Sequence, residues 1–138
     1  MDALGDSLEE LVKHTDRSII IDGHYSHELL DVKLVNLVFV LRKAPWELYE
    51  ILQKRLYSYE KVWENIEAEI MGVIAEESQN YPRDKLHEVD TTGKSAVETS
   101  EEIIGVIRGD KSASFGPIDW VTYPETLRVL VNRTCTLS

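Results

Sequence analysis

Apolar residues are arranged along this chain in two ways. In the first they are consecutive: Ile19, Ile20 and Ile21 run directly into Asp22-Gly23-His24, and "LVNLVFVL" at 34–41 runs into Arg42. Consecutive apolar positions, as opposed to alternating ones, predict strands buried on both faces, the habit of parallel sheets covered by helices. Strands are expected over 18–22 and 35–41, with a third, shorter one over 86–90. In the second arrangement apolar residues recur at helical spacing. Leu8, Leu11 and Val12 follow Asp6 and Ser7, either of which can cap a short helix over 6–14. Pro45, suited to a first helical turn, opens a stripe of Trp46, Tyr49, Leu52 and Leu56 and predicts a helix over 45–56. Val62, Ile66, Ile70, Val73 and Ile74 predict a longer helix over 58–79, ended by "NYPRD". A further helix is expected to start near Ser95 and close at Gly109. Strands alternating with helices imply an α/β layer fold.

Residues 110–138 have a different texture. "DKSASFGPIDW" reads as a loop with an aromatic anchor, "YPETLRVLV" as a short helix opened by Tyr123-Pro124, and "NRTCTLS" has no usable pattern. No repeat, low-complexity tract or dividing linker interrupts the chain. A length of 138 residues with 43% hydrophobic content suits one compact domain.

Charge narrows the function classes. A net charge of −10 argues against direct, general nucleic-acid binding, which depends on clustered Lys and Arg. The one cysteine, Cys135, cannot form an internal disulfide or a thiolate metal cage, so a reducing, cytoplasmic setting is expected. The longest apolar run contains Asn36 and is far shorter than a bilayer span, and the acidic start lacks a signal peptide's basic region, so no membrane association is expected.

Asp22-Gly23-His24 is the first candidate for chemistry. Open α/β sheets bind ligands at the carboxyl ends of their strands, and an acid there can hold magnesium through water while His orients a water or a phosphate. The bland alternative is that Asp22 caps a turn, Gly23 supplies a left-handed backbone angle and the histidines lie on the surface. Taken alone, the tripeptide favours the bland reading.

Its company changes the balance. "IDGHYSH" is followed by "VFVLRKAPWELYEILQKRLYSYEKVWENIEAEI" and then by "EVDTTGKS". Together these resemble the adenylate-kinase-like ATPases related to adenylate kinase isoenzyme six, over about residues 7–108, most specifically in "VLR" paired with R-x-Y-S-x-x-K-x-x-E-N-I-x-x-E-I. "IDW" at 118–120 also looks like a motif of archaeal members. The resemblance implies ATP:AMP phosphoryl transfer and ATP hydrolysis, with ATP and Mg2+ as cofactors and a part in small-ribosomal-subunit assembly. It places the acid-x-His signature on Asp22 and His24, as the magnesium-water and hydrolysis-linked positions. The lid that closes over the phosphates falls on 55–65, with Arg55 as the phosphate-facing guanidinium, a role suited to its planar fork. Leu56 stands where a glycine commonly follows that arginine. The loop that lies against adenine falls on 90–94, with Thr91, Thr92, Gly93 and Lys94 presenting backbone amides.

Plainer roles exist for the same residues. Arg42 can be a strand-end surface residue, Arg55 can favour a helix C-terminus, and Lys61 with Glu64 can be a solvated pair. Trp46 and Tyr49 are core candidates, and packing is also favoured for Trp63 despite its place in the lid. His14 and His27 have at most an auxiliary role, and Cys135 has none.

No G-x-x-x-x-G-K-[ST] occurs in the 138 residues; Gly93-Lys94-Ser95 lacks the glycine five positions earlier. The resemblance therefore implies a partial P-loop NTPase, a nucleoside-monophosphate-kinase-like three-layer parallel sheet without its first strand and phosphate loop. On that reading 1–109 is a truncated core fragment, 110–138 is an extension, and the fragment is inactive as it stands. The family's phosphate-loop strand lies between the strands expected at 18–22 and 35–41, and each backbone group left unpaired by its absence costs roughly 1–3 kcal/mol. The remaining strands must pair directly, recruit the tail, or associate with another chain. Self-association is thus an expectation. The competing reading is a nucleotide-independent module that binds a basic ribosomal protein or a second copy of itself.

Overall fold

The computed structural model describes residues 3–24, 26–116 and 118–136. Its centre is a sheet of two parallel strands, β1 (Val38–Arg42) and β2 (Leu86–Asp90), in register from Val38 opposite Leu86 to Arg42 opposite Asp90. The chain is α/β. β2 matches its sequence expectation, whereas β1 begins later than 35 because Val35 N–H closes a 3-10 turn on Val32 C=O at 3.3 Å.

The strand expected over 18–22 does not form. That segment is irregular, and Ile20 is 86% exposed where two-sided burial was expected. A run of isoleucines favours extended backbone, but a strand is stabilised by its ladder and by the layers it packs between, and here the ladder consists of β1 and β2 alone. The two strands that do form pair directly. The outer edge of β2 is covered by the loop after Gly109: Glu88 N–H donates to Ser114 C=O (2.9 Å) and Ser114 N–H to His87 Nδ1 (2.9 Å).

Among the described residues six α-helices accompany this pair. α1 (Ala3–His14) carries exposed i,i+4 ion pairs, Lys13 to Glu9 and His14 to Glu10. α2 (Pro45–Gln53) stops short of Leu56, which is fully exposed and not part of the apolar stripe. Ser58 Oγ accepts Lys61 N–H at 3.2 Å to start α3 (Tyr59–Met71). The expected single helix over 58–79 is broken at Gly72, whose φ of +63° ends α3; α4 (Val73–Glu77) and a 3-10 turn (Ser78–Asn80) follow. Ser95 caps α5 (Ala96–Ile107), and Gly109 turns the chain away at φ +80°, both as expected. The final helix, α6 (Pro124–Thr136), runs through the stretch that had no sequence pattern. It packs Val129 against Leu52, Val62, Trp63, Ile66 and Ile70 of α2 and α3. A second cluster joins Val40, Leu86 and Ala75. No helix among the described residues is long and apolar enough to cross a membrane.

Arg42 is not a surface residue. It is 2% exposed, with Nε 2.8 Å from Glu69 Oε1, Nη1 3.1 Å from Glu88 Oε2 and 3.3 Å from Ile118 C=O, and Nη2 3.2 Å from Glu69 C=O. Trp120 Nε1–H (2.8 Å) and Lys43 N–H (3.2 Å) also donate to Glu69 Oε1, and Ile118 N–H donates to Glu88 Oε1 at 3.0 Å. Gly72 lies next to this network: a Cβ there would stand in ordinary contact at 3.6 Å from Arg42 Nη2, and it is the backbone at φ +63°, which L-residues rarely adopt, that favours glycine. Burial pushes the Glu88 carboxyl above the usual range, and Arg42 opposes that rise. Arg42→Ala would strand both carboxylates in the interior and is expected to cost about 3–5 kcal/mol of unfolding free energy. Urea denaturation measures this, and a loss under about 1 kcal/mol would mean that the carboxylates find water instead.

Candidate functional site

The carboxyl ends of β1 and β2 lie side by side, and the segments leaving them are bound together. Arg42 C=O accepts both the N–H (2.8 Å) and the Oγ1–H (2.7 Å) of Thr91. Ala44 N–H donates to Thr92 Oγ1 at 2.8 Å, while Thr92 N–H returns to Asp90 Oδ1 at 3.0 Å. Lys43 Nζ reaches Thr91 C=O at 3.2 Å. Lys94 N–H closes the turn on Thr91 C=O at 3.1 Å, around Gly93 at φ +68°. Thr91, Thr92, Gly93 and Lys94 therefore form one rigid loop on the edge where parallel sheets place ligands.

Glu47, in the first turn of α2, was missed by the sequence reading. Its Oε2 accepts Gly93 N–H at 3.0 Å and pairs with Lys43 Nζ at 3.4 Å. The amide expected to face a base edge is thus already held by a carboxylate. The signal for it was an acid in the first turn of the helix that follows a strand, four residues from a lysine.

Behind the loop, Lys94 Nζ and His87 Nε2 each lie 3.2 Å from a Glu102 oxygen. His87 Nδ1 accepts from Ser114, so Nε2 carries the proton that points to Glu102. Burial alone would raise the Glu102 carboxyl, but hydrogen bonds from His87 and Lys94 and the Lys94 charge outweigh it and hold it below the usual range.

The other candidates lie apart from this ladder. Asp22 and His24 sit on exposed, irregular backbone and not at a strand end. Gly23 is not in the left-handed region; its carbonyl accepts the N–H (3.3 Å) and Oγ–H (2.9 Å) of Ser26. Arg55 follows α2 and lies against Tyr57, its Cζ 5.9 Å from the ring centroid. Lys61 and Glu64 form an exposed pair at 3.3 Å, matching the plain reading. Trp63 is buried core, flanked by Tyr49 and Tyr59 with centroids at 5.4 and 6.2 Å, and Arg133 lies over its ring while pairing with Glu67. A cleft of about 300 Å³ opens there, lined by Tyr49, Gln53, Tyr57, Tyr59, Val62 and Trp63. Cys135 is in α6, but its side chain lies outside the described residues. The four backbone N–H groups of 91–94 are all engaged within the protein, by Arg42 C=O, Asp90 Oδ1, Glu47 Oε2 and Thr91 C=O, and Asp22, exposed on irregular backbone, does not fit a preorganised magnesium–triphosphate grip.

A parallel pair with helices between its strands and a loop clamped at its carboxyl edge makes the described residues α/β, compatible with part of a kinase-like fold. No family model matches the chain. Curated proteins do, each bearing the name "Putative adenylate kinase". One from Pyrococcus abyssi is 42% identical over 105 residues, covering 76% of this chain and 56% of its own length. One from Thermococcus kodakarensis is 40% identical over 115 residues (83% and 62%), and one from Thermococcus gammatolerans is 39% identical over 125 residues (84% and 68%). The chain belongs to the adenylate-kinase-like family, and it spans roughly three fifths of the length of these relatives.

Because the Glu102 carboxyl is depressed in the folded chain, the stability it contributes is present above its unfolded value, near pH 4.5, and is lost as the pH falls through the lower folded one. Glu102→Gln should therefore lower the thermal midpoint at about pH 7, with the gap to the unaltered chain narrowing as the pH falls below 4.5. Scanning calorimetry across that range checks this; a constant offset would assign the effect to packing.

Proposed function

We propose that this chain is the base-loop and lid part of an adenylate-kinase-like enzyme that, as a whole protein, transfers a phosphoryl group from ATP to AMP and hydrolyses ATP with Mg2+. The observation that carries this reading is the loop at 91–94, locked to Arg42 and Ala44 at the carboxyl edge of a parallel pair. Adenine would take the Gly93 N–H in exchange for Glu47, so that backbone amides read the base. In the whole protein Arg55 would neutralise charge on the phosphates, and Asp22 and His24 would serve the magnesium and the attacking water once a neighbouring strand orders their segment. Small-ribosomal-subunit assembly would be the cellular setting, and the cytoplasm the compartment.

The 138 residues alone are expected to be inactive, because they contain no phosphate-gripping loop. A coupled adenylate kinase assay on this chain should show no turnover above background. A robust rate abolished by Arg55→Ala would overturn the assignment of inactivity.

A second reading is favoured by the net charge of −10, which suits a basic partner. On it, the chain binds a basic ribosomal protein, or itself, without nucleotide. Leu41 on β1 is exposed, as are Ile20 and Leu56, so the surface available for self-association is partly apolar. Light scattering at micromolar concentration should then detect a species heavier than 15.8 kDa. A clean monomer that binds ATP would leave the nucleotide reading alone.

A further inference from the structure

The irregular segment that carries Asp22 and His24 runs into a turn of 3-10 helix at Ser26–Glu28, which is one place where it meets the helical layer. Tyr81 OH donates to His27 C=O at 2.7 Å, and burial pushes the Tyr81 phenol up, so it remains a donor. This anchor presents the His27 ring to Glu77, the last residue of α4. His27 Nε2 is 2.9 Å from Glu77 Oε2 and 3.8 Å from Glu28 Oε1, and one ligand atom from each of the three residues lies within 4.8 Å of the others. The histidine side chain is 8% exposed while Glu28 is 60% and Glu77 42% exposed. The nitrogen is thus fixed from the protein side, and the two carboxylates close on it from the solvent side.

We propose that His27, Glu28 and Glu77 form a binding site for a divalent transition-metal cation of the zinc type. Zinc bonds of about 2.0–2.2 Å to nitrogen and oxygen in a tetrahedron place ligand atoms about 3.3–3.5 Å apart, between the two separations seen here. A neutral imidazole with two carboxylates balances a dication, and the fourth position faces solvent and can hold water. Imidazole selects zinc over magnesium, which prefers oxygen ligands in an octahedron. Binding needs the neutral imidazole with its proton on Nδ1 and the Nε2 lone pair on the metal: the neutral Nε2–H form reaches it by tautomerisation with no net proton release, and an imidazolium reaches it by releasing one proton to solvent. The bound ion would clamp 26–28 to α4 and restrain the neighbouring segment that carries Asp22 and His24. The site is independent of the nucleotide reading, because none of its ligands belongs to the loop at 91–94 or to the lid.

The experiment is a titration of the 138-residue chain with ZnCl2 under reducing, phosphate-free conditions, followed by calorimetry and by thermal melting, with MgCl2 in parallel. One zinc per chain, a raised thermal midpoint with zinc and none with magnesium are expected. Glu28→Gln is the deciding variant. As an exposed residue 3.8 Å from the histidine it contributes little to the metal-free fold, so the metal-free midpoint should be unchanged while zinc affinity falls about tenfold or more. His27→Ala should abolish the stoichiometric binding. Absence of zinc binding, or unaltered affinity in Glu28→Gln, would overturn the site and leave His27 as an ion-pairing residue. Stoichiometric binding that survives His27→Ala would place the metal elsewhere in the chain and would also overturn it.

Discussion

The structure depends on how one buried guanidinium is satisfied. Arg42 ends β1 pointing inward, and its charge can be kept out of water only if every face of the fork finds an acceptor. Glu69 supplies a carboxylate oxygen and a backbone carbonyl from α3, Glu88 supplies a carboxylate from β2, and Ile118 supplies a carbonyl from the loop before α6. Glu69 Oε1 accepts three donors, Arg42, Lys43 and Trp120, so strand, helix and C-terminal loop meet at one atom. Such networks often add little net stability over an apolar core of equal volume, but a misplaced element leaves a bare charge behind. Their effect is therefore on arrangement: α3 has one axial position relative to β1, and Trp120 has one orientation.

The same residue places the functional edge. Arg42 is held by its side chain on one side and accepts Thr91 with its backbone carbonyl on the other. Its rigidity passes in one step from the interior to the loop at 91–94. A pair of strands would ordinarily be a weak platform. Here the ladder is reinforced by the Arg42–Glu88 ion pair across its last turns and by the loop around Ser114 on its far edge. That is why the loop at 91–94 is held in place although the sheet is narrow, while Asp22 and His24 lie on irregular backbone outside the ladder.

The irregular segment shows the complementary rule. It is fastened by single side-chain contacts: Asp31 Oδ1 to Lys33 N–H, Lys85 Nζ to Val32 C=O, and Tyr81 to His27. Point contacts hold a chain near a surface without imposing a strand. Its isoleucines consequently lie partly in solvent, and the chemistry at His27 rests on side chains brought by α4 and not on a sheet edge.

Much of the local structure was legible in the sequence because its causes are local. Ser95 and Ser58 cap their helices with hydroxyls three residues from the amides they accept, Pro45 starts α2, Gly109 ends a turn in the left-handed region, and the short run 86–90 is β2. The family resemblance likewise rested on contiguous motifs, and the loop at 91–94 that it singled out follows β2 at the carboxyl edge of the pair. Other features were decided only in three dimensions. Ile19, Ile20 and Ile21 read as a strand, but a strand needs a partner that pattern cannot supply. Gly72 read as a helix interior, but it takes the left-handed backbone that closes α3 on Ala68 and Glu69. Arg42 read as a surface residue because its partners lie 27, 46 and 76 residues further along the chain. Sequence spacing reports hydrogen bonds that close within a turn; it is silent on a buried charge until folding brings its distant acceptors to it.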